Sequence, residues 1–244
     1  MILRLDESQV SWRHAIEQWQ ELTRQEPDHV TYAAQLAHAH SKLGDAILGQ
    51  GIVHWREAKA EYETALAIGR EAVAMSNSTD FERRVLATIL TSLGHVAMVS
   101  GQNQEAANHI HEAIDLFEEV LQHQPSVLSC AHDLATAYFR LGNCESMAGR
   151  MSDSETAYRK GTELEEHLVA QAPGNAVWES LLAELDSSLG NNAREHGDSE
   201  TALKYYDRSK QLLDAILIRE PNFKNAQDSI PSVLSIHEIG RAHV

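Results

Sequence analysis

The nine residues LGNCESMAG (141–149) decide how this sequence is read. They place Gly142 and Gly149 seven residues apart in a stretch whose other residues favour helix. The same pattern, Leu-Gly and then Gly seven residues on, occurs four times: Gly44 and Gly51, Gly94 and Gly101, Gly142 and Gly149, Gly190 and Gly197. Seven residues before each first glycine stands the Ala of a Leu-Ala pair: Ala37, Ala87, Ala135 and Ala183. Seventeen before it stands Pro27, Asn77, Pro125 or Pro173, and Pro221 continues the series. The period is 48 residues, lengthened to 50 in the first repeat by two extra residues after Gly51. A fixed period of this length marks an array of stacked structural repeats.

Within a repeat the offsets have a helical meaning. Five, nine and twelve residues past the second glycine stand Ala106, Ile110 and Ala113, then Ser154, Tyr158 and Gly161, then Ala202, Tyr206 and Ser209. Leu116 and Val120, Leu164 and Leu168, and Leu212 and Ile216 extend the same stripe. Steps of three and four put these residues on one helix face, and small residues flanking a large one predict a close helix–helix crossing. Each repeat therefore reads as a helical hairpin. Its first helix runs from just after the proline to the second glycine, and its second from there to the next proline. A glycine inside a helix costs about 1 kcal/mol relative to Ala, so the first glycine implies a neighbour that leaves no room for a Cβ. The second reads as a left-handed helix terminus.

Composition bounds the function. Hydrophobic residues make up 43% of the 244 residues and charged ones 23%, as in a folded domain. A net charge of −16 opposes nucleic-acid binding and anionic membranes, and it suits a basic partner. No secretory signal or membrane-spanning run is legible. The two cysteines, Cys130 and Cys144, form no disulfide framework; they read as buried thiols in a reducing, cytoplasmic setting. No Gly-rich phosphate loop is present. His38/His40 and His109/His111 are two apart and diverge on a helix, so no metal site is expected. The pairs Glu118-Glu119 and Glu165-Glu166 read as solvent-facing, and no nucleophile–base set can be placed. The expectation is a protein that is not an enzyme and has no cofactor.

Leu-Gly, a second Gly seven on, then Ala, Tyr and Ala is the signature of the tetratricopeptide repeat. LGNNAREHGDSETALKYYDRSKQL (189–212) resembles a member of that family closely. The usual repeat has 34 residues, and here each helix is lengthened by seven. That keeps the packing face in register, because seven residues return nearly to the same azimuth. The 48-residue form is similar to the C-terminal repeat arrays of some bacterial serine/threonine protein kinases, although no kinase motif is present.

The resemblance implies an all-α, right-handed superhelical solenoid of antiparallel hairpins. Its concave groove would bind a partner through the first helices, at six and three residues before and one and four after the first glycine. These positions hold His38, Ser41, Asp45 and Leu48; Thr88, Thr91, His95 and Met98; Thr136, Phe139, Asn143 and Ser146; Glu184, Ser187, Asn191 and Arg194. Asn143 and Asn191 match the asparagine that holds a ligand's backbone in carboxylate-clamp members, whereas the clamp lysines are absent. The implied function is a non-catalytic scaffold for a protein or peptide partner. The alternative is a recruiting or regulatory segment of a bacterial serine/threonine kinase. Self-association through exposed solenoid ends is a further expectation.

The register divides the chain into the second helix of a truncated repeat (1–27), repeats at 28–77, 78–125, 126–173 and 174–221, and the start of another at 222–237. The helix over 7–25 places Ser8, Trp12 and Ala15 at the crossing positions without a preceding first helix, so Met1 is expected to be an internal start in a longer reading frame. IGRAHV (239–244) matches one translated frame of a widely used sequencing adapter, whose preceding two bases complete the codon of Glu238. Residues 238–244 are therefore expected to be an artefact.

Overall fold

The computed structural model describes residues 2–229, with side chains from residue 7 on. The described residues form helices joined by short turns, without a β-strand. In chain order the helices are α1 (Ile2–Gln25), α2 (Val30–Leu48), α3 (Trp55–Ala74), α4 (Asp80–Val99), α5 (Asn103–His123), α6 (Leu128–Met147), α7 (Met151–Gln171), α8 (Ala176–Glu195) and α9 (Ser199–Arg219). From α3 on, equivalent helices recur every 48 residues. Residues 224–229 are again helical; 230–237 of the expected truncated repeat, and all of 238–244, lie outside the described residues.

Residues up to Cys130 form one unit and residues from Ala131 another. In the first, α2 pairs with α3 and α4 with α5, while α1 covers α2 through Ile16, flanked by Trp12 and Trp19. In the second, α8 packs on α7 and pairs with α9. Tyr158 of α7 reaches Gly142 of α6, and Leu213 and Ile216 of α9 form a buried cluster with Ala176 and Ala183 of α8.

The crossing positions are buried as the stripe predicts: Ala58, Tyr62 and Ala65 in α3, Ala106, Ile110 and Ala113 in α5, Ala202, Tyr206 and Ser209 in α9. A Cβ added to Gly44 would lie 2.7 Å from the Tyr62 ring, and one on Gly94 would lie 2.5 Å from Ile110 Cγ1. At Gly142 and Gly190 it would run into the rings of Tyr158 and Tyr206. Those rings cannot swing aside freely. The hydroxyls donate to the residue after the glycine: Tyr62 to Asp45 Oδ1 (2.7 Å), Tyr158 to Asn143 Oδ1 (2.6 Å) and Tyr206 to Asn191 Oδ1 (3.0 Å).

The second glycine turns the chain. At Gly149, φ is +75°, a left-handed conformation that needs no Cβ. The Gly149 N–H donates to Ser146 O and the Arg150 N–H to Glu145 O, both at 2.9 Å, closing the last turn of α6 with a Schellman motif. Gly101 and Gly197 repeat it. Gly51 departs from the expectation. Its φ is +142°, α2 ends at Leu48, and a 3₁₀ turn over Ile52–His54 precedes α3. That turn takes up the two extra residues. Pro27, Pro125, Pro173 and Pro221 all lie in turns that follow a helix, where a missing N–H breaks no ladder.

Gly142→Ala is expected to destabilise the protein by roughly 1–3 kcal/mol through overpacking against Tyr158. In a Tyr158→Ala background the same change should become neutral or stabilising by about 1 kcal/mol, since only helix propensity remains. Urea midpoints of the four proteins in this cycle provide the check.

Candidate functional site

A concavity of the second unit lies along its first helices. A cavity of about 330 Å³ is lined by His132, Thr136, Phe139 and Arg140 of α6, by Val177, Ser180, Leu181 and Glu184 of α8, and by Asn225, Asp228 and Ser229. A smaller hollow of about 150 Å³ continues past Phe139 and Glu184 to Ser187 and Ser188. Thr136, Phe139, Glu184 and Ser187 are groove positions expected from the repeat register. His132, Val177, Ser180 and Leu181 lie one to two turns nearer the helix starts.

The wall is electrostatically built from behind. Glu165 of α7 is fully buried, and its Oε1 lies 2.6 Å from His132 Nδ1. This corrects the solvent-facing reading of Glu165. Its repeat equivalents are Phe117 and Leu213, both core residues, so an acid occupies an apolar position. Burial pushes its carboxyl above the ordinary range, with the His132 bond acting the other way. Glu165 Oε2 has no hydrogen-bond partner, and neither has Ser180 Oγ, on a residue only 2% exposed. Burial likewise holds the Glu184 carboxyl above the usual range, opposed by the nearby Arg140 guanidinium. Arg140 also lies over the Phe139 ring, 5.9 Å from its centre.

The other expected groove residues are placed differently. Asp45, Asn143 and Asn191 receive the tyrosine hydroxyls at the crossings, so this asparagine position serves the fold. Thr91 is buried and donates to Ala87 O at 2.9 Å, inside α4. His38 is half-buried with Trp12 edge-on to its ring at 6.3 Å. His95 is half-buried on α4, and Arg194 is exposed in the last turn of α8. His40, two residues from His38, is buried, its Nδ1 2.8 Å from Glu61 Oε2. Of the expected groove residues, Thr136, Phe139 and Glu184 line the cavity and Ser187 the hollow beyond it. No group of three or more His, Cys, Asp or Glu positioned for a metal ion is found among the described residues. No described helix is long and apolar enough to cross a membrane.

Two residues past Glu184, Asp186 is fully buried and paired by Nε and Nη2 of Arg208, whose Nη1 donates to Glu166. Burial outweighs that pairing and raises the Asp186 carboxyl to about 6.

No protein-family model matches the sequence, and no curated protein matches it as a relative. Solved structures do resemble the chain. BtubC (BKLC) from P. vanneervenii is 16% identical, with a TM-score of 0.60 over 98% of this chain and 91% of that one. TTC0263, a thermophilic TPR protein in Thermus thermophilus, is 16% identical, with a TM-score of 0.48 over 91% of this chain and 90% of that one. MamA is 17% identical, with a TM-score of 0.48 over 86% of this chain and 95% of that one. The likeness to BtubC is one of fold. The chain is an all-α, tetratricopeptide-like array of antiparallel helical hairpins.

Because the folded pKa of Asp186 lies above the ordinary 3.8, its contribution to stability is full below about pH 4 and is lost as pH rises through 6. Glu165 and Glu184, raised likewise, act in the same direction. The thermal midpoint should therefore rise by a few degrees from pH 7.5 to pH 5, corresponding to on the order of 1–3 kcal/mol. Asp186→Asn should flatten that rise. Calorimetry on both proteins at the two pH values checks it.

Proposed function

We propose that this chain is a non-catalytic protein-interaction scaffold whose second unit holds an extended or helical segment of a protein partner along the first-helix face of α6 and α8. The cavity carries the reading. It combines apolar side chains left partly open, Phe139 and Val177, with polar groups spaced along one face, the composition of a peptide-binding cleft. Its wall is rigid, because the tyrosine–glycine crossings fix the pitch of α6 and α8 from behind. A preformed cleft avoids much of the ordering cost of binding. The groups it presents are ones that bind and orient.

The test is fluorescence anisotropy of the full chain against a library of labelled twelve-residue peptides. Peptides that bind should lose at least tenfold in affinity to Phe139→Ala, an apolar anchor worth about 1–3 kcal/mol. Glu163→Ala, on the exposed face of α7, should leave them unchanged. Binders insensitive to Phe139→Ala, or no binders at all, would contradict the assignment.

A further inference from the structure

The chemistry of the cavity specifies more than a groove. Two carboxylates, Glu184 and Asp228, stand in its wall against one guanidinium, Arg140, and a third carboxylate, Glu165, sits directly behind His132. With Glu165 ionised, its oxygen accepts from Nδ1–H of His132, which leaves Nε2 at the opposite edge of the ring as an acceptor. Ser180 Oγ lines the same cavity, is buried, and has no hydrogen-bond partner. A buried hydroxyl without a partner costs free energy that a ligand atom would recover. Between these polar groups lie the Phe139 ring and Leu181. At about 330 Å³ the space is at the small end of ligand pockets, which run from roughly 300 to 1,000 Å³. It is sized for one long side chain rather than a whole segment.

Resting on the groove assignment above, we propose that this cavity seats one cationic side chain of the partner, a lysine or an arginine. Its N–H donors meet Glu184, Ser180 Oγ and His132 Nε2, while its methylenes lie on Phe139 and Leu181. An amphipathic chain with an apolar stem and a charged head matches a pocket with an apolar wall and acceptors at one end. An anionic head group would face the carboxylates of Glu184 and Asp228 against the single guanidinium of Arg140, and a purely apolar one would leave Ser180 unsatisfied. The charge of the whole chain, −16, favours the encounter with such a partner.

The probes are n-butylammonium and n-butylguanidinium, which reproduce the two side-chain ends, with 1-butanol and butyrate as neutral and anionic counterparts. Each is titrated into the full isotope-labelled chain while amide shifts are followed by NMR. The cations should give saturable shifts at Thr136, Phe139, Leu181 and Glu184, and butanol and butyrate should bind at least tenfold more weakly. The stronger of the two cations identifies lysine or arginine. Glu184→Gln should weaken the cations at least tenfold without lowering the thermal midpoint, since burial already disfavours the charge on this carboxyl. Ser180→Ala should weaken them about threefold or more.

Butanol or butyrate saturating the same amides as well as the cations would overturn the cation assignment and leave the groove standing. Silence with all four compounds, or cation binding unchanged by Glu184→Gln, would overturn the seat itself. The groove is decided separately, by the Phe139→Ala peptide titration.

Discussion

A ring lies where a Cβ would have to be. At Gly142 and Gly190 the partner tyrosine's ring carbons occupy the space of a side chain, and at Gly44 and Gly94 a ring and an isoleucine come within 2.7 and 2.5 Å of it. A glycine in mid-helix forfeits helical stability. The contact repays this by letting two long helices approach closely and by fixing where along their length they cross. The tyrosine hydroxyl adds direction, since its bond to Asp45, Asn143 or Asn191 holds the ring over the glycine. Ile110 fills the second repeat's gap by volume alone.

That crossing separates two jobs. The half of each first helix around the glycine is committed to its own hairpin, including the residue after the glycine. The half nearer the helix start has its exposed side free to line a cavity. His132, Val177, Ser180 and Leu181 all come from that half. A buried acid and a buried hydroxyl are tolerable there only because helices packed from behind hold them in place. Each carries a polar atom without a hydrogen-bond partner, which costs stability in the free protein.

The hairpins were legible because a steric requirement repeats: only glycine satisfies a ring at Cβ distance or a left-handed turn, so Gly142 and Gly149 speak through their spacing alone. Glu165 was not. Viewed singly it is one of an adjacent acidic pair on a polar helix; set beside Phe117 and Leu213 at the same repeat position, it stands in the core stripe. His132 and Ser180 escaped because the expected groove positions stop at Thr136 and Glu184, about one turn short of them. Asn143 and Asn191 matched a ligand-binding position by letter. Nothing in one sequence tells that letter from a hydrogen-bond acceptor for Tyr158 or Tyr206. Gly51 shows the limit of register: its number fits the series, but the two residues that follow it require a different turn.

The most direct measurement is a crystal structure of the full chain carrying Gly142→Ala. If the ring-in-glycine contact sets the hairpin, the Tyr158 ring will have left its place, its hydroxyl bond to Asn143 will be broken, and α6 and α7 will stand further apart at residue 142. An alanine accommodated with Tyr158 still bonded to Asn143 and the helices unmoved would contradict the account.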